Sequence, residues 1–375
     1  MMRELAPDEI CAAALAGLGM SPARLRRVLH GYSPRLAWDL MVAGQHPEDP
    51  DSRARPVASA VVLSQVADRC RAAGVDVRLL GSPSYPPRLA KDPEAPAVLF
   101  TSGDPSVLEG RATVTVVGTR SATSSGQATA RQMGRQLAAA GVVVVSGLAH
   151  GIDMAAHAGA VEVALAPPVA VLGTAHDGRA TPEQVRLRTA VSDTGAVMSE
   201  LPPGDRAARW RFAVRNRVLA ASADLVVVVE CHVEGGALHT ARAARRRRLP
   251  LAAVPGPVGS PASAGTNALL VAGANCVRDA GDVLSLLAQA PTGSPASRPA
   301  GPEDPPPRPA TSRGAALGST EAAVLQAVED VPSSLEQVVV RANLKVGTVA
   351  LALEHLVDAG LVESAQGWWQ RRRYS

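Results

Sequence analysis

Apolar positions along the chain fall into three regimes. From residue 8 to about residue 70 they recur at helical spacing, in short amphipathic stretches interrupted by "GLGMSPARLRRVLHGYSP". Gly17-Leu18-Gly19 followed by Ser21-Pro22 reads there as a helix stop and restart. From about residue 75 short continuous apolar runs take over: "VRLL" (77–80), "AVLF" (97–100), "VTVV" (114–117), "VVVV" (142–145), "VAVL" (169–172), "AVMS" (196–199), "LVVVVE" (225–230), "LAAV" (251–254) and "CVR" (276–278). Amphipathic helices fit between most of these runs from residue 113 onward. Val-rich strands alternating with helices predict an open, doubly wound α/β domain, its parallel sheet covered on both faces. The third regime begins with a Pro-, Ser-, Gly- and Ala-rich stretch, residues 289–318, that has almost nothing to bury and reads as a linker. Beyond it, "STEAAVLQAVED", "SSLEQVVVRANL", "KVGTVALALEHLVDAG" and "LVESAQGWWQRRR" predict three short helices and a hairpin, a winged helix over residues 319–375. The expected organisation is a helical N-terminal domain (1–72, of helical-hairpin type), an α/β domain (73–288), the linker and the winged helix.

Composition narrows the class. No apolar run reaches the roughly 20 residues of a membrane span. The opening "MMRELAPDEICAAALAGLGM" suits an amphipathic helix better than a signal peptide, so no membrane association and a cytoplasmic location are expected. Cys11, Cys70, Cys231 and Cys276 lie far apart, which points to neither a disulfide framework nor a structural zinc site. Lys91 and Lys345 are the only lysines, so nearly every cation is an arginine, a bias that a GC-rich genome alone would produce. A net charge of +4 permits a nucleic-acid partner without requiring one. The placement of the arginines is therefore more informative than their number.

Ligands of open parallel sheets bind outside the carboxyl ends of the strands, where helices begin. Those ends here carry Gly118-Thr119-Arg120, Ser146-Gly147-Leu148-Ala149-His150-Gly151, Gly173-Thr174, Glu200 to Gly204, Glu230 to Gly236 and Pro255-Gly256-Pro257. Small residues in these turns let a phosphate-rich ligand approach the backbone. The stretch "VVVVSGLAHGIDMAAH" places His150, Asp153 and His157 at three- and four-residue spacing, which admits a metal site. It equally admits an Asp on the first turn of a helix, complementing the helix dipole, with His157 packed against the sheet. "GTRSATSSGQ" is not a Gly-x-Gly-x-x-Gly fingerprint and no Walker Gly-Lys-Ser/Thr occurs, so Arg120 suggests either an anion contact outside nucleotide chemistry or a structural salt bridge. "RWRFAVRNRVLAAS" interleaves Arg209, Arg211, Arg215 and Arg217 with Trp210 and Phe212. Cations beside aromatic rings hold single strands without sequence readout, whereas a helix start burying its aromatics is the structural alternative. "ARRRRLP" (Arg245–Arg248) ends a helix and is expected as a solvated face away from the crevice.

The succession "VTVVGTR", "VVVVSGLAHGIDMAAHAGAV", "AVLGT", "MSELPPG", "FAVRNRVLAA", "GGALHTAR" and "AVPGP…SPASAGTNALLVAGA" resembles the bacterial DNA-processing family known as DprA or Smf. Upstream "YPPRLAKDPEAPAVLFTSGD" is similar to the segment before that family's core, and the likeness covers roughly residues 75 to 285. The resemblance implies an extended Rossmann-like open parallel sheet that binds single-stranded DNA, dimerises, and helps load the RecA recombinase onto incoming strands during natural transformation. It implies no catalytic residue, cofactor or metal. Arg120 matches the family's Gly-Ser-Arg arginine, with Thr119 in place of Ser; Arg215-Asn216-Arg217 match its Arg-Asn-Arg, and Phe212 the Phe three residues earlier. Gly147 to Asp153 match Ser-Gly-Leu-Ala-Arg-Gly-Ile-Asp, with His150 where Arg is usual. After "VLGT" the chain departs from the family, Thr181 standing for a Tyr and Val185 for an Asn, and Arg179 or Arg186 could supply the charge but not a stacking ring. His239 replaces an aliphatic residue.

The expected single-strand contacts are thus Gly118, Thr119, Arg120, Ser146, Gly147, His150, Gly151, Asp153, Arg179, Phe212, Arg215, Asn216, Arg217, and Gly236 and Thr240 in "GGALHTAR". His150 makes a pH-dependent contact on this reading, and Arg120→Ala and Arg217→Ala both flatten the salt dependence of binding. Two other classes compete. A nucleotide-processing enzyme of phosphoribohydrolase type wants Pro-Gly-Gly-x-Gly-Thr followed by a catalytic Glu, and neither "VPGPVGS" nor "AGTNALL" carries that Glu. A winged-helix regulator would read duplex DNA through "KVGTVALALEHLVDAG", where Lys345 stands as the only fixed cation beside Glu354 and Asp358. Trp368, Trp369 and Arg371–Arg373 suit a nucleic acid or a protein equally.

Overall fold

The computed structural model describes residues 4–163, 165–205, 209–289, 319–328, 333–344, 346–358, 361–365 and 368–371. The linker expected at 289–318 therefore lies outside the described residues apart from its first position, as do Lys345, Arg372 and Arg373. Residues from Met1 to Thr292 form one compact unit and those from Gly293 to Ser375 a second.

The first unit opens with five helices: α1 (Pro7–Ala16), α2 (Pro22–Leu29), α3 (Pro34–Ala43), α4 (Arg55–Ser59) and α5 (Leu63–Ala72). Proline occupies the first turn of α1, α2 and α3, and the hydroxyls of Ser21 and Ser33 accept the backbone N–H of Arg24 and Leu36. Leu15, Val28, Trp38 and Met41 pack in one cluster with Val77, Val98 and Phe100 of the sheet that follows. The boundary expected at residue 72 thus falls inside a continuous core.

Nine strands follow, one at each expected run. They are β1 (Asp76–Leu79), β2 (Val98–Gly103), β3 (Thr113–Val117), β4 (Val143–Ser146), β5 (Val169–Val171), β6 (Ala196–Ser199), β7 (Leu225–Val228), β8 (Leu251–Ala253) and β9 (Asn275–Cys276). Their order across the sheet is β1-β2-β6-β5-β4-β3-β7-β8-β9. Seven neighbours from β6 to β9 run parallel, but β2 pairs antiparallel with both β1 and β6. The sheet is thus largely parallel, as expected, with antiparallel pairing confined to the β1-β2-β6 end. The connection between β1 and β2 holds only the short α6 (Pro87–Ala90), with no helix long enough to cover the sheet as a parallel crossover does.

Helices α7 (Ser124–Ala139), α8 (Ile152–Val161), α9 (Pro182–Thr194), α10 (Arg209–Ala221), α11 (Ala237–Arg246), α12 (Pro261–Val271) and α13 (Ala280–Gln289) complete the unit. Alternate residues of each strand face opposite layers. Val114, Val116, Val142 and Val144 pack with α7, α8 and α13, while Val143, Val145, Val169 and Val171 pack with α10 and α11. The chain moves outward from β3 through β4, β5 and β6, then returns to β7 on the other side of β3, so the strand order reverses at β3 and β7.

The second unit contains α14 (Ser319–Ala327), β10 (Ser333–Ser334), α15 (Leu335–Ala342), α16 (Val346–Asp358), β11 (Val362–Ala365) and β12 (Trp368–Arg371). Its strands form a three-stranded antiparallel sheet, β10-β12-β11. Val324, Val338, Leu353 and Leu356 make its core.

Candidate nucleic-acid interface

The turn after β3 and the turn after β4 meet at the carboxyl edge of the sheet. The Ile152 N–H at the start of α8 donates to the Thr119 carbonyl at 3.3 Å, and the Thr119 N–H donates to the Glu230 carbonyl at 2.7 Å. Gly118, Thr119, Gly151 and the end of β7 are therefore brought together, as the strand ends suggested.

The backbone N–H groups in these turns do not point at an empty cradle. Asp153 is only 4 % exposed and accepts hydrogen bonds from the N–H groups of Gly118, Gly147 and Ala149. Burial pushes its carboxyl up to about 6, while the Arg215 charge and those three donors pull it down. At the neighbouring helix, Glu230 accepts from the Thr123 N–H at 2.9 Å and the Thr123 hydroxyl at 2.6 Å. Its carboxylate lies so close to Gly126 that a Cβ there would overlap it. The α7 start is thus already served by an anion from the protein itself, and the turns before α7 and α8 face the buried Asp153. The phosphate-sized gaps read from the small residues are filled by Asp153 and Glu230.

The arginines of "RWRFAVRNRVLAAS" turn inward. Arg215 is buried; it donates to the carbonyls of Gly147 (3.0 Å) and Val171 and, through Nε, to the Asn216 Oδ1 at 3.2 Å. Gly147 has to be glycine because a Cβ would collide with that guanidinium. Burial lowers Arg215 to about 10, with Asp153 opposing the shift and Arg120 adding to it. Asn216 donates through Nδ2 to the Gly236 carbonyl at 3.1 Å. Arg217 makes a two-pronged pair with Glu200, at 2.5 and 2.7 Å, which takes it off the surface as a phosphate contact. Arg211 pairs with Asp205 at 3.0 Å and lies over the Trp210 ring. The side chain of Arg209 lies outside the described residues.

Arg120 is different. It is exposed, and its guanidinium sits over the Phe212 ring, 4.5 Å from the centroid. Phe212 is half-buried, resting over Gly173 at the end of β5. His150 and Arg179 are exposed in the turns after β4 and β5, and Arg186 is exposed on α9. The α9 start is tied to the β4 turn by Gln184, which donates to the Leu148 carbonyl at 3.3 Å. Among the described residues Arg120, Arg179 and Arg186 have no ion-pair partner.

Other expected contacts lie inside. Ser146 is fully buried and donates to the Val116 carbonyl at 2.6 Å, bridging β4 to β3, and Thr240 is buried in α11. Gly236 is exposed at the start of α11. His157 is buried with Nε2–H donating to the Val169 carbonyl at 3.0 Å, while His150 is exposed, so His150, Asp153 and His157 do not face a common point. Of the run Arg245–Arg248, Arg247 is not solvated: it pairs with Asp92 at 2.6 Å and with Glu94 at 2.7 Å. The part of Glu230 was not visible in the sequence, although a capping Thr123 with Gly126 three residues on marks a helix start with room for an anion.

Comparison with known proteins agrees with this geometry. The family model described as DNA recombination-mediator protein A matches residues 76–288, more than half of the chain. A DprA-type DNA processing protein of Mycobacterium tuberculosis is 39 % identical over 259 residues, which are 68 % of this chain and 63 % of that one. The chain thus spans less than two thirds of that relative's length. Protein Smf of Synechocystis is 30 % identical, with 78 % of each chain covered. Among solved structures, DNA processing protein A of Streptococcus pneumoniae aligns with a TM-score of 0.64 and 26 % identity, over 74 % of this chain and 97 % of that one. The Helicobacter pylori protein, solved for its single-stranded DNA binding mode, shares the fold at a TM-score of 0.51 and 24 % identity, over 58 % of this chain and 98 % of that one. With its matched segment spanning the whole sheet from β1 to α13, the chain belongs to the DNA recombination-mediator protein A family.

Proposed function

We propose that this protein binds single-stranded DNA along the carboxyl edge of its sheet, without catalysis, and acts as a recombination mediator in the cytoplasm. It shields incoming strands and passes them to a RecA-type recombinase, working as a homodimer through the Rossmann-like domain. The observation that carries the reading is the exposed Arg120 guanidinium over Phe212, with Arg179 and His150 exposed in the turns after β5 and β4. A cation stacked on a ring offers both charge for phosphate and a flat face for a base, which suits a strand held without sequence readout. The inward-facing carboxylate of Glu230 supports the same reading, because it already occupies the α7 start, where a nucleotide phosphate would otherwise sit. The Helicobacter pylori protein that shares this fold binds single-stranded DNA, which supports the reading.

In this proposal the contacts are made by Arg120, Phe212, His150, Arg179 and Gly236, with Gly118, Thr119 and Gly151 shaping the surface. Ser146, Gly147, Asp153, Arg215, Asn216, Arg217 and Thr240 support it from within. Residues 319–375 are read as a winged helix, in keeping with three helices and the β10-β12-β11 sheet. No helix among the described residues is long and apolar enough to cross a membrane. Fluorescence anisotropy of labelled oligo-dT against a duplex of equal length tests the reading. Preference for the single strand is the expected result, and equal affinity for the duplex contradicts it.

A further inference from the structure

Two buried charges approach the carboxyl edge from opposite faces of the sheet. Asp153 belongs to α8 in one helical layer, and Arg215 belongs to α10 in the other. Between them they hold the ends of three strands. Asp153 accepts from Gly118 after β3 and from Gly147 and Ala149 after β4. Arg215 donates to Gly147 and to Val171 at the end of β5. Gly147 is gripped at both its N–H and its carbonyl, and Leu148 beside it takes a positive φ of 50°. The exposed residues hang directly from these turns. Arg120 follows Thr119, whose carbonyl receives the Ile152 N–H, and His150 lies between the two held segments.

We propose that Asp153 and Arg215 form a positioning pair that fixes the turns after β3, β4 and β5, so that Arg120 and His150 face the strand while neither member of the pair touches it. The inference rests on the proposed single-strand binding. Asp153 is 4 % and Arg215 6 % exposed, so neither reaches a phosphate without the turns opening. Two desolvated charges are an expensive way to join three loops, since apolar residues of similar volume fill such space at lower cost. Hydrogen bonds that fix backbone direction are what the charges add.

The pair differs from a direct contact in two measurable ways. A phosphate contact sets the salt dependence of binding, whereas a positioning residue changes affinity at constant slope. The pair is also pH-sensitive, with Asp153 facing Arg215 from α10, Arg120 from the β3 turn, the Glu230 segment against Gly118, His157 one turn on, and His150 in its own loop. Protonating Asp153 removes the charge that holds Arg215 and weakens the grip on the turns, so affinity falls as pH drops through about 6. An exposed histidine near phosphate acts in the opposite direction, gaining charge and affinity as pH falls.

The experiment titrates labelled oligo-dT by anisotropy at several salt concentrations and at pH values from about 5 to 8. The proteins are wild type, Asp153→Asn, Arg215→Lys and Arg120→Ala, with the pH series run in a His150→Gln background. Asp153→Asn keeps the shape and removes the charge; Arg215→Lys keeps the charge and removes the fork, and circular dichroism at the assay temperature verifies that both are folded. The expected result is a loss of about tenfold or more for each at an unchanged salt slope, against a slope about 0.7 shallower for Arg120→Ala. Asp153→Asn also abolishes the fall in affinity toward pH 5. A flattened slope for Arg215→Lys, or wild-type affinity in both variants, overturns the pair and leaves the binding function standing. A wild type with no preference for the single strand overturns the function itself.

Discussion

The turn after β3 and the helix α10 both bring arginine to the carboxyl edge of the sheet, and they use it in opposite ways. Among the described residues Arg120 has no ion-pair partner, and it rests on an aromatic ring in the open. Arg211 and Arg217 pair with the carboxylates of Asp205 and Glu200, and Arg215 turns inward onto the carbonyls of Gly147 and Val171. A guanidinium already matched by a carboxylate releases little when a phosphate arrives, because it must first give up the partner it has. On the proposed reading the arginine-dense helix supports the site from within and Arg120 meets the strand.

The largest expected effect separates these roles through stability. Arg217→Ala or Glu200→Ala leaves its former partner without a counter-charge in a place where the two side chains are 11 % and 18 % exposed. A loss on the order of 3 kcal/mol in denaturant unfolding is expected for either single change, with the double variant losing less than the sum. Arg120→Ala should leave the unfolding midpoint within about 0.5 kcal/mol of wild type, as an exposed substitution does.

A second effect of similar size comes from acid. His157 and His176 are buried and donate to the carbonyls of Val169 and Val197. Burial lowers both to about 4 from an ordinary value of 6.5. A histidine held neutral in the fold and free to charge on unfolding gives stability that is complete above 6.5 and lost as pH falls toward 4. Each contributes on the order of 3 kcal/mol to that loss. Asp153 works against it: with its value raised to about 6, its share of stability grows as pH falls through 6 toward the unfolded value of 3.8. Two histidines outweigh one carboxylate, so net stability should drop through this window, and His157→Gln should make the drop shallower in urea melts at stepped pH.

Smaller effects lie on the exposed side. Phe212→Ala removes a ring that stacks on Arg120 and can stack on a base, which should weaken oligo-dT binding by about 1–3 kcal/mol with little change in salt slope. The smallest is His150→Ala. It removes one exposed contact and should weaken oligo-dT binding by less than Phe212→Ala does, read by the same anisotropy titration.

Much of the fold was legible because Val-rich runs state where a covered strand must lie, and nine of them did. Direction was not legible. "VRLL" and "AVLF" look like the others, and nothing local in them marks the antiparallel pairing of β2 with β1 and β6. At the site, the positions of the Gly turns could be read, since strand ends and helix starts are local signals. Their occupants could not. Glu230 is 107 residues from the Thr123 it caps, and Arg215 is 68 from the Gly147 it holds, so both partnerships exist only after the sheet forms. The motif arginines were legible as important and illegible as buried, because sequence shows a cation but not whether a carboxylate waits beside it.

The account depends most on the claim that Arg120 neutralises phosphate while the α10 arginines do not. The direct test is the slope of log affinity against log salt for oligo-dT, measured for wild type, Arg120→Ala and Arg217→Ala. Arg120→Ala is expected to flatten the slope by about 0.7 and Arg217→Ala to leave it unchanged. A slope flattened by Arg217→Ala and untouched by Arg120→Ala would contradict it.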